Sequence, residues 1–379
     1  MQGIAEELEE LRAKGLYRKL RTLSHFRGTH ADWEGRELVL FCGNDYLGLA
    51  HDPRIIKAAQ EALTKYGVGA GAARLISGTS EAHTQLEKAL AQWKEKERAL
   101  LFGSGYLANL GVLTAVAGEK DLIVMDKLCH ASLIDGARLS GAEVRVFPHK
   151  NYAKAGEIFA RGNFPRKILV SDTVFSMDGD LADLEALIQL KEKYQALLVV
   201  DDAHGIGVVG PKGEGVTTGK FLKKIDVVVG TLSKSLGVFG GFAAASNTLI
   251  ERFINYSRPF IFATAPPPAL AAAALEALRL IQEDATLRQR LWKNCEKVYD
   301  FLQHQGRGGK IASAIFPIMI GAENETVKIS EELLNLGILI PAIRYPTVAK
   351  GKARLRLSVS AAHTGKDLEK LFQALSKVL

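Results

Sequence analysis

The chain has 379 residues, which is long enough for two domains or one large domain with a sizeable core. Hydrophobic residues make up 47% and charged residues 24%, a composition that is ordinary for a globular protein and excludes a disordered or fibrous one. The formal net charge is +7, but basic residues are interspersed with acidic ones and are not interleaved with aromatics. We therefore expect no nucleic-acid binding and only a modest attraction for phosphorylated small molecules.

The cysteine pattern and the N-terminal sequence indicate in which cellular compartment the protein works. Cys42, Cys129 and Cys295 are widely separated and form no CxxC pair, which argues against a disulfide framework and against a zinc site. The N-terminus lacks an apolar core of signal-peptide length, and no later run approaches the roughly 20 apolar residues of a membrane span. These features predict a soluble, cytoplasmic protein that binds neither a membrane nor a metal.

The first predicted segment, residues 1–45, contains an amphipathic helix over residues 4–22 and then a polar, hairpin-like region. The apolar stripe of this helix would consist of Ile4, Leu8, Leu11 and Leu20.

The second predicted segment, residues 46–285, alternates short apolar strands with helices. The predicted strands are "RALLF", "DLIVMD", "VRVFPH", "KILVSD", "ALLVVDDAH", "DVVVGTLSK" and "GGFAAAS". Continuous apolar strands separated by helices predict a large α/β domain with a mainly parallel sheet covered on both faces. In such sheets ligands bind beyond the carboxyl ends of the strands.

A helix-forming run at residues 266–302 begins with three prolines and is a natural hinge. It leads into a smaller α+β C-terminal domain, predicted for residues 286–379. The elements predicted there are the strands "IFPIMIG" and "ARLRLSVS" and the final helix "KDLEKLFQALSKVL".

Titratable and polar side chains follow several of the predicted strands. They are Asp201, Asp202 and His204 after one strand, Ser176, Asp178 and Asp180 after another, His130 before a helix, and Lys234 after "VVVGTLS". A lysine, an aspartate and a histidine at strand ends suit an aldehyde cofactor with a pyridine ring, because the lysine forms a Schiff base and the aspartate keeps the ring nitrogen protonated. The cofactor phosphate would bind backbone N–H groups where Gly103, Ser104 and Gly105 open a helix.

Three other patterns favour simpler interpretations. Gly205–Gly210 matches GxGxxG, but no apolar-periodic helix follows it and Asp226 precedes the next strand, which argues against a nicotinamide or flavin site. Residues 178–189 depart from a calcium-binding loop at the sixth and twelfth positions. Cys129 beside His130 is interpreted as a small buried thiol and not as a nucleophile.

The motifs together resemble the α-oxoamine synthases, a family of pyridoxal-phosphate enzymes of fold type I. The resemblance covers almost the whole chain through "FCGNDYLGLAHDPRII", "GVGAGAARLISGTSEAHTQLEKAL", "FGSGYLAN", "DKLCHASLIDG", "TVFSMDGDLADL", "VDDAHGIGVVG", "TLSKSLG", "FIFATAPPP" and "RLRLSVSAAHT". It implies a fold-type I PLP-dependent transferase and a homodimer with shared active sites. Within the family, "PAIRYPTVAKGKARLRLS" is most similar to members that join L-alanine to a pimeloyl thioester in biotin biosynthesis.

The resemblance also implies roles for individual residues toward pyridoxal 5'-phosphate. Lys234 would form the Schiff base and remove the Cα proton, and Asp201 would pair with the pyridine nitrogen. His130 would stack on the ring and act as an acid near the new oxyanion, while His204 and Ser176 would contact the phenolic oxygen.

The same resemblance assigns the phosphate to backbone N–H groups of Gly105 and Tyr106, to the hydroxyl of Thr231, and to Thr264 from the second subunit. Asp202 would then face away from the cofactor as a structural carboxylate.

Substrate contacts are implied at four positions. Arg356 would grip the amino-acid carboxylate, with Arg354 on the same strand face as the competing assignment and Asn44 as a second contact. Arg18 would lie near the acyl substrate. Ala73 stands where members that use glycine and succinyl-CoA carry threonine, which leaves room for the methyl group of alanine.

The acyl partner and its carrier, CoA or a carrier protein, stay open at this point, since Tyr345 stands where proline is usual. A glycine–acetyl-CoA ligase or a relative of mixed specificity is the alternative enzyme. A protein that binds pyridoxal phosphate without catalysis is the alternative of another class.

Overall fold

The computed structural model describes residues 2–379, which fold into two compact units. The small unit consists of the described residues up to Gly48, Met177–Gly179 and Gln289–Leu379. The large unit consists of Leu49–Ser176 and Asp180–Arg288. The N-terminal segment thus belongs to the same unit as the C-terminal segment, and the division into domains after residues 45 and 285 stays a prediction.

The elements alternate along the chain as the apolar periodicity indicates. The strands are β1 Ser24–Arg27, β2 His30–Trp33, β3 Arg36–Leu40, β4 Arg98–Phe102, β5 Leu122–Asp126, β6 Glu143–Phe147, β7 Lys167–Asp172, β8 Leu197–Asp201, β9 Val227–Thr231, β10 Gly241–Ala245, β11 Ile315–Gly321, β12 Ile338–Leu339, β13 Ala342–Ile343 and β14 Ala353–Ser358. The α-helices are α1 Gln2–Ala13, α2 Pro53–Tyr66, α3 Glu81–Trp93, α4 Gly105–Val116, α5 Ala131–Leu139, α6 Tyr152–Phe159, α7 Leu184–Tyr194, α8 Asn247–Tyr256, α9 Arg258–Ile261, α10 Pro268–Glu283, α11 Ala285–His304, α12 Glu323–Asn335 and α13 Gly365–Val378.

The large unit contains a seven-stranded sheet in the order β4-β10-β9-β8-β7-β5-β6. Strands β5 to β9 pair in parallel, and β10 is antiparallel to both of its neighbours, β4 and β9. Successive residues of β9 pack on opposite sides: Val227 and Val229 belong to one apolar cluster and Val228 to another. Both faces of the sheet are therefore buried, and the predicted α/β fold with a mainly parallel sheet is confirmed.

The register of the parallel strands aligns their carboxyl ends. Asp172, the last residue of β7, lies opposite Asp201, the last residue of β8, and Asp201 lies opposite Val229 of β9. The loops that follow these strands consequently leave the sheet at the same edge, where ligands bind in this class of fold.

The small unit contains two sheets of its own, with strand orders β1-β2-β3-β12 and β11-β14-β13. The predicted helix over residues 4–22 is wrong in length, since α1 ends at Ala13. Gly15 adopts a left-handed conformation with φ of 64°, and the N–H of Leu16 bonds back to Leu11, which terminates the helix. Leu20 is fully exposed and shares no stripe with α1.

The helix-forming run at residues 266–302 is interrupted once. It divides into α10 and α11, separated by Asp284. The carboxylate of Asp284 accepts a hydrogen bond from the N–H of Thr286, so this residue caps the start of the second helix.

Among residues 2–379 no helix is both long and apolar enough to cross a bilayer. Within the same range, no cluster of three or more His, Cys, Asp or Glu side chains is arranged to hold a metal ion. The cytoplasmic location stays a prediction.

Candidate active site

The carboxyl edge of the large unit's sheet brings the predicted lysine and histidine into contact. Lys234 follows β9, His204 follows β8, and Lys234 Nζ lies 2.8 Å from His204 Nε2. Lys234 is half-buried, whereas His204 and the neighbouring Asp201 are each 6% exposed. An amine beside an imidazole and a shielded carboxylate can react with an aldehyde and exchange protons.

The Asp201 carboxylate is fixed by two donors. Its Oδ1 accepts from the N–H of Ala203 at 2.9 Å, and its Oδ2 accepts from Asn109 Nδ2 at 2.6 Å. Asn109 lies on α4, is 1% exposed, and donates also to Ser132 Oγ at 2.9 Å. Sequence reasoning missed Asn109; the available signal was an amide inside an apolar helix that follows the phosphate motif.

His130 continues this network at the start of α5. Its Nδ1 lies 2.7 Å from Ser132 Oγ, and its backbone N–H donates to Asp172 Oδ2 at 2.9 Å. Desolvation lowers the pKa of His130, and the nearby charge of Asp201 offsets this only in part. The imidazole is consequently neutral near pH 7 and suited to pack against an aromatic ring.

The start of α4 offers a cradle for an anion. A side chain at Gly105 would place its Cβ 3.1 Å from that of Thr231, and one at Gly241 would reach 2.4 Å from the Gly105 nitrogen. Thr231 Oγ1 donates to Gly240 O at 3.0 Å. First-turn N–H groups, including those of Gly105 and Tyr106, have no intrahelical acceptor, so they can bind a phosphate.

These groups fit pyridoxal phosphate. Lys234 provides an amine for the aldehyde, and Asp201 provides a carboxylate for the ring nitrogen. The start of α4 provides a phosphate-binding site in which glycines leave room for the anion. Each group lies in the large unit.

Asp202 lies in a different environment from its neighbour Asp201. Its carboxylate accepts from Lys94 Nζ at 3.0 Å and from the hydroxyls of Thr173 and Thr217 at 2.5 and 2.9 Å. The Lys94 and Asp202 side chains are both 0% exposed. The geometry is that of a structural ion pair; the resemblance implied a structural carboxylate at Asp202 but not its pairing with Lys94.

Ala73 and Thr264 contact each other, although they were assigned to different parts of the site. They form an isolated antiparallel β-bridge, and Ala265 N–H donates to Ala72 O at 2.9 Å. Thr264 is exposed, and Ser176 is half-buried at the end of its segment of the large unit.

Arg356 and Asn44 lie together in the small unit. Arg356 is 5% exposed and donates to Ser358 Oγ at 2.9 Å and to Asn44 Oδ1 at 3.2 Å. The competing Arg354 instead donates to the Asp178 carboxylate and to Met177 O. Arg354 is therefore occupied by an ion pair within this unit.

Arg18 lines a cavity of about 1240 Å³ in the small unit. The basic residues of its lining are Arg12, Arg18, Lys19, Arg21 and Arg344, and the acidic ones are Glu34 and Glu331. Arg344, which sequence reasoning missed, donates to Tyr17 O at 2.9 Å, and its buried Nε has no partner. Burial and then the charge of Arg18 lower the pKa of Arg344, so an anion in this cavity would relieve unfavourable charge.

The fold and these residues define a fold-type I pyridoxal-phosphate enzyme, and the chain belongs to the aminotransferase class I and II family, whose sequence profile matches residues 36–375. It is 43% identical to the 8-amino-7-oxononanoate synthase of Thermoanaerobacter pseudethanolicus, over 99% of this chain and 96% of that protein. It is 44% identical to the enzyme of the same name from Geotalea daltonii, over 100% of this chain and 98% of that protein. The predicted resemblance to α-oxoamine synthases, a group of acyltransferases, is thereby confirmed.

Solved structures of related enzymes have the same fold. Serine palmitoyltransferase from S. paucimobilis with a bound PLP–myriocin aldimine matches with a TM-score of 0.93 at 30% identity, over 99% of this chain and 96% of that chain. The 8-amino-7-oxononanoate synthase of Francisella tularensis matches with a TM-score of 0.77 at 27% identity, over 90% and 96% respectively. The predicted fold type and the predicted cofactor are both confirmed.

Proposed function

We propose that the chain catalyses the decarboxylative condensation of L-alanine with a pimeloyl thioester to 8-amino-7-oxononanoate, the reaction that its full-length relatives are named for and a step of biotin biosynthesis. The observation that carries the proposal is the half-buried Lys234 amine held 2.8 Å from His204, beside the shielded carboxylate of Asp201. This arrangement supports proton removal next to an electron-withdrawing ring, a task that a cofactor carrier would not need.

The residues of the large unit would hold the cofactor and move one proton. Bound pyridoxal phosphate supplies an electron sink for the negative charge that develops at alanine Cα. Lys234 would hold the aldehyde carbon through Nζ, and the free Nζ would take the Cα proton of alanine. Asp201 keeps a proton on the ring nitrogen, and His204 and Ser176 bind the phenolic oxygen.

His130 and the phosphate cradle complete this part of the site. The neutral His130 imidazole would pack on the ring and donate a hydrogen bond near the oxygen of the thioester carbonyl. Gly105 and Tyr106 backbone N–H groups and the Thr231 hydroxyl hold the phosphate, with Thr264 contributed by the second subunit.

The substrate carboxylates are recognised by arginines of the small unit. The buried Arg356 guanidinium, steadied by Asn44 and Ser358, binds the carboxylate of alanine. The basic cavity lined by Arg18 and Arg344 binds the far carboxylate of the pimeloyl chain. An acetyl group carries no such charge, so the cavity favours a dicarboxylic acyl group over acetyl.

The test crosses two amino acids with two thioesters. We expect the initial rate with alanine and pimeloyl-CoA to exceed every other combination of alanine or glycine with pimeloyl-CoA or acetyl-CoA. Lys234→Ala is the control and should abolish turnover while the folded structure, measured by circular dichroism, is kept. A preference for glycine with acetyl-CoA would overturn the proposal. A wild-type protein that binds the cofactor but does not exchange the Cα proton of alanine would favour a non-catalytic carrier.

A further inference from the structure

His149, two residues after the end of β6, binds two carboxylates at once. Its Nδ1 lies 3.0 Å from Asp126 Oδ1, and its Nε2 lies 3.1 Å from Asp180 Oδ2. Carboxylates only accept hydrogen bonds, so both ring nitrogens must donate and the imidazole carries a proton on each. His149 belongs to none of the sequence motifs with an assigned role, and the proposed mechanism does not use it.

The first carboxylate anchors the loop that ends in His130. Asp126 is the last residue of β5, and its side chain is 1% exposed. Its Oδ1 accepts from the N–H of Leu128 at 2.8 Å, and its backbone oxygen accepts from the N–H of Cys129 at 3.2 Å. The conformation of the chain up to His130 is thus built on this aspartate.

The second carboxylate belongs to Asp180, whose backbone oxygen closes the turn that carries Ser176. Asp180 O accepts from the N–H of Phe175 at 3.0 Å, next to the β-bridge between Val174 and Leu181. The His149 ring also packs edge-on against the Phe175 ring, with 4.3 Å between centroids. His149 therefore contacts the residue that immediately precedes Ser176.

We infer that protonated His149 is a positioning residue that fixes the His130 loop and the Ser176 turn relative to each other. The inference rests on the roles proposed above for His130 and Ser176 toward the cofactor. His149 touches neither the cofactor nor the substrate in this assignment and acts only through the two loops.

The surrounding charges support the protonated state. Burial acts to lower the pKa of His149, but hydrogen bonds and charge interactions with Asp126 and Asp180 outweigh it and raise the pKa to about 9. Lys150 also pairs with Asp180, at 2.7 Å, and Tyr152 of α6 interacts with both aspartates. Cys129 and Asp172 are further titratable neighbours of Asp126. Since the pKa is raised above its ordinary value of about 6.5, the stabilisation is complete below that value and is lost as the pH rises through about 9.

Side-chain amides can replace the two hydrogen bonds of His149 one at a time. In His149→Asn the amide nitrogen substitutes for Nδ1 and keeps the bond to Asp126, whereas in His149→Gln it substitutes for Nε2 and keeps the bond to Asp180. His149→Ala removes both bonds. Lys150→Met is the control, because it removes an ion pair from Asp180 but leaves the Lys150 N–H bond to Asp126 and both bonds of His149 in place.

The readouts are the dissociation constant of pyridoxal phosphate, measured by titration of the cofactor-free protein, and the imidazole titration of His149 by NMR in that same protein. We expect His149→Ala to bind the cofactor about tenfold more weakly at neutral pH and each amide variant to fall in between, because each keeps one charge-assisted contact. Lys150→Met should bind it within about twofold of wild type. The ratio of the His149→Ala and wild-type dissociation constants cancels other titrations. Above about pH 10, where the neutral imidazole keeps one donor, this ratio should fall to the level expected for the amide variants.

Three results would overturn the inference. The first is an NMR pKa of His149 near that of free histidine, and the second is a ratio of cofactor dissociation constants that does not change with pH. The third is a Lys150→Met variant that binds the cofactor as weakly as His149→Ala. If the alanine variant does not fold, the two amide variants carry the same test. Failure of the proposed function would appear separately, as absent product from alanine and pimeloyl-CoA in the wild type.

Discussion

At the scale of single residues, Asn109 connects the two sides of the cofactor site. Its amide nitrogen donates both to Asp201 and to Ser132, and Ser132 in turn contacts His130. One buried side chain therefore sets the orientation of the carboxylate assigned to the ring nitrogen and of the imidazole assigned to the ring face.

Replacing Asn109 with alanine removes a hydrogen bond to a charged group. We expect Asn109→Ala to lower the free energy of unfolding by about 1.5–3 kcal/mol and to weaken cofactor binding, because the Asp201 carboxylate loses its donor on α4. Urea unfolding and cofactor titration measure the two effects. Asn109→Asp should be worse, since it places a second carboxylate against Asp201; an aspartate variant as stable as wild type would contradict this.

The difference between the residues that were predicted and those that were missed has a physical cause. Lys234, Asp201 and His204 are visible in the sequence because charged side chains are unusual directly after apolar strands. Asn109 and Arg344 act through partners that are remote in sequence, Asp201 and Tyr17 among them. Sequence spacing carries no information about such contacts, so only the folded chain reveals them.

At the scale of elements, a buried ion pair ties helix α3 to the end of strand β8. Lys94 follows the last residue of α3, and its ammonium group contacts Asp202, the Thr217 hydroxyl and Glu214 O. The segment after β8 is thereby attached to the helix that covers the sheet. Burial lowers the pKa of Lys94, and the charge of Asp202 opposes this shift.

Removing one partner of this pair leaves an uncompensated charge in the interior. We expect Lys94→Met to lower the free energy of unfolding, measured by urea unfolding, by about 3–5 kcal/mol. The double variant Lys94→Met with Asp202→Asn should recover part of this loss, because the unpaired carboxylate is then absent. Lys96→Met is the control, because the Lys96 ammonium donates to two backbone carbonyls, those of Leu222 and Ile225. A Lys94→Met variant no less stable than Lys96→Met would contradict the expectation.

Strands were easier to predict than helix ends. The continuous apolar runs of β5, β7, β8 and β9 identify strands buried on both faces. The end of α1 depends on Gly15, whose left-handed conformation the sequence permits but does not require. The gap between α10 and α11 likewise depends on Asp284, a polar residue inside an otherwise helix-forming run.

At the scale of the whole molecule, the β-bridge between Ala73 and Thr264 links the role assigned to Ala73 to the role assigned to Thr264. Because the bridge holds these residues side by side, a second-subunit role for Thr264 places Ala73 in that same neighbouring site. The flanking side chains Leu75, Ile76 and Phe262 are 50%, 81% and 69% exposed. Large exposed apolar side chains next to the bridge support contact with a second copy of the chain.

Mixed dimers test whether this segment acts across the subunits. We expect Ala73→Trp, which fills the space for the methyl group of alanine, and Lys234→Ala each to be inactive alone. After the two are unfolded and refolded together, mixed dimers should contain one intact site, giving about a quarter of wild-type activity at equal amounts. The control pairs Lys234→Ala with Asp201→Ala, whose side chains both belong to one chain's site, and should restore nothing. Equal absence of activity in both mixtures would place Ala73 in the site of its own chain, and selection for alanine would then be made within one subunit.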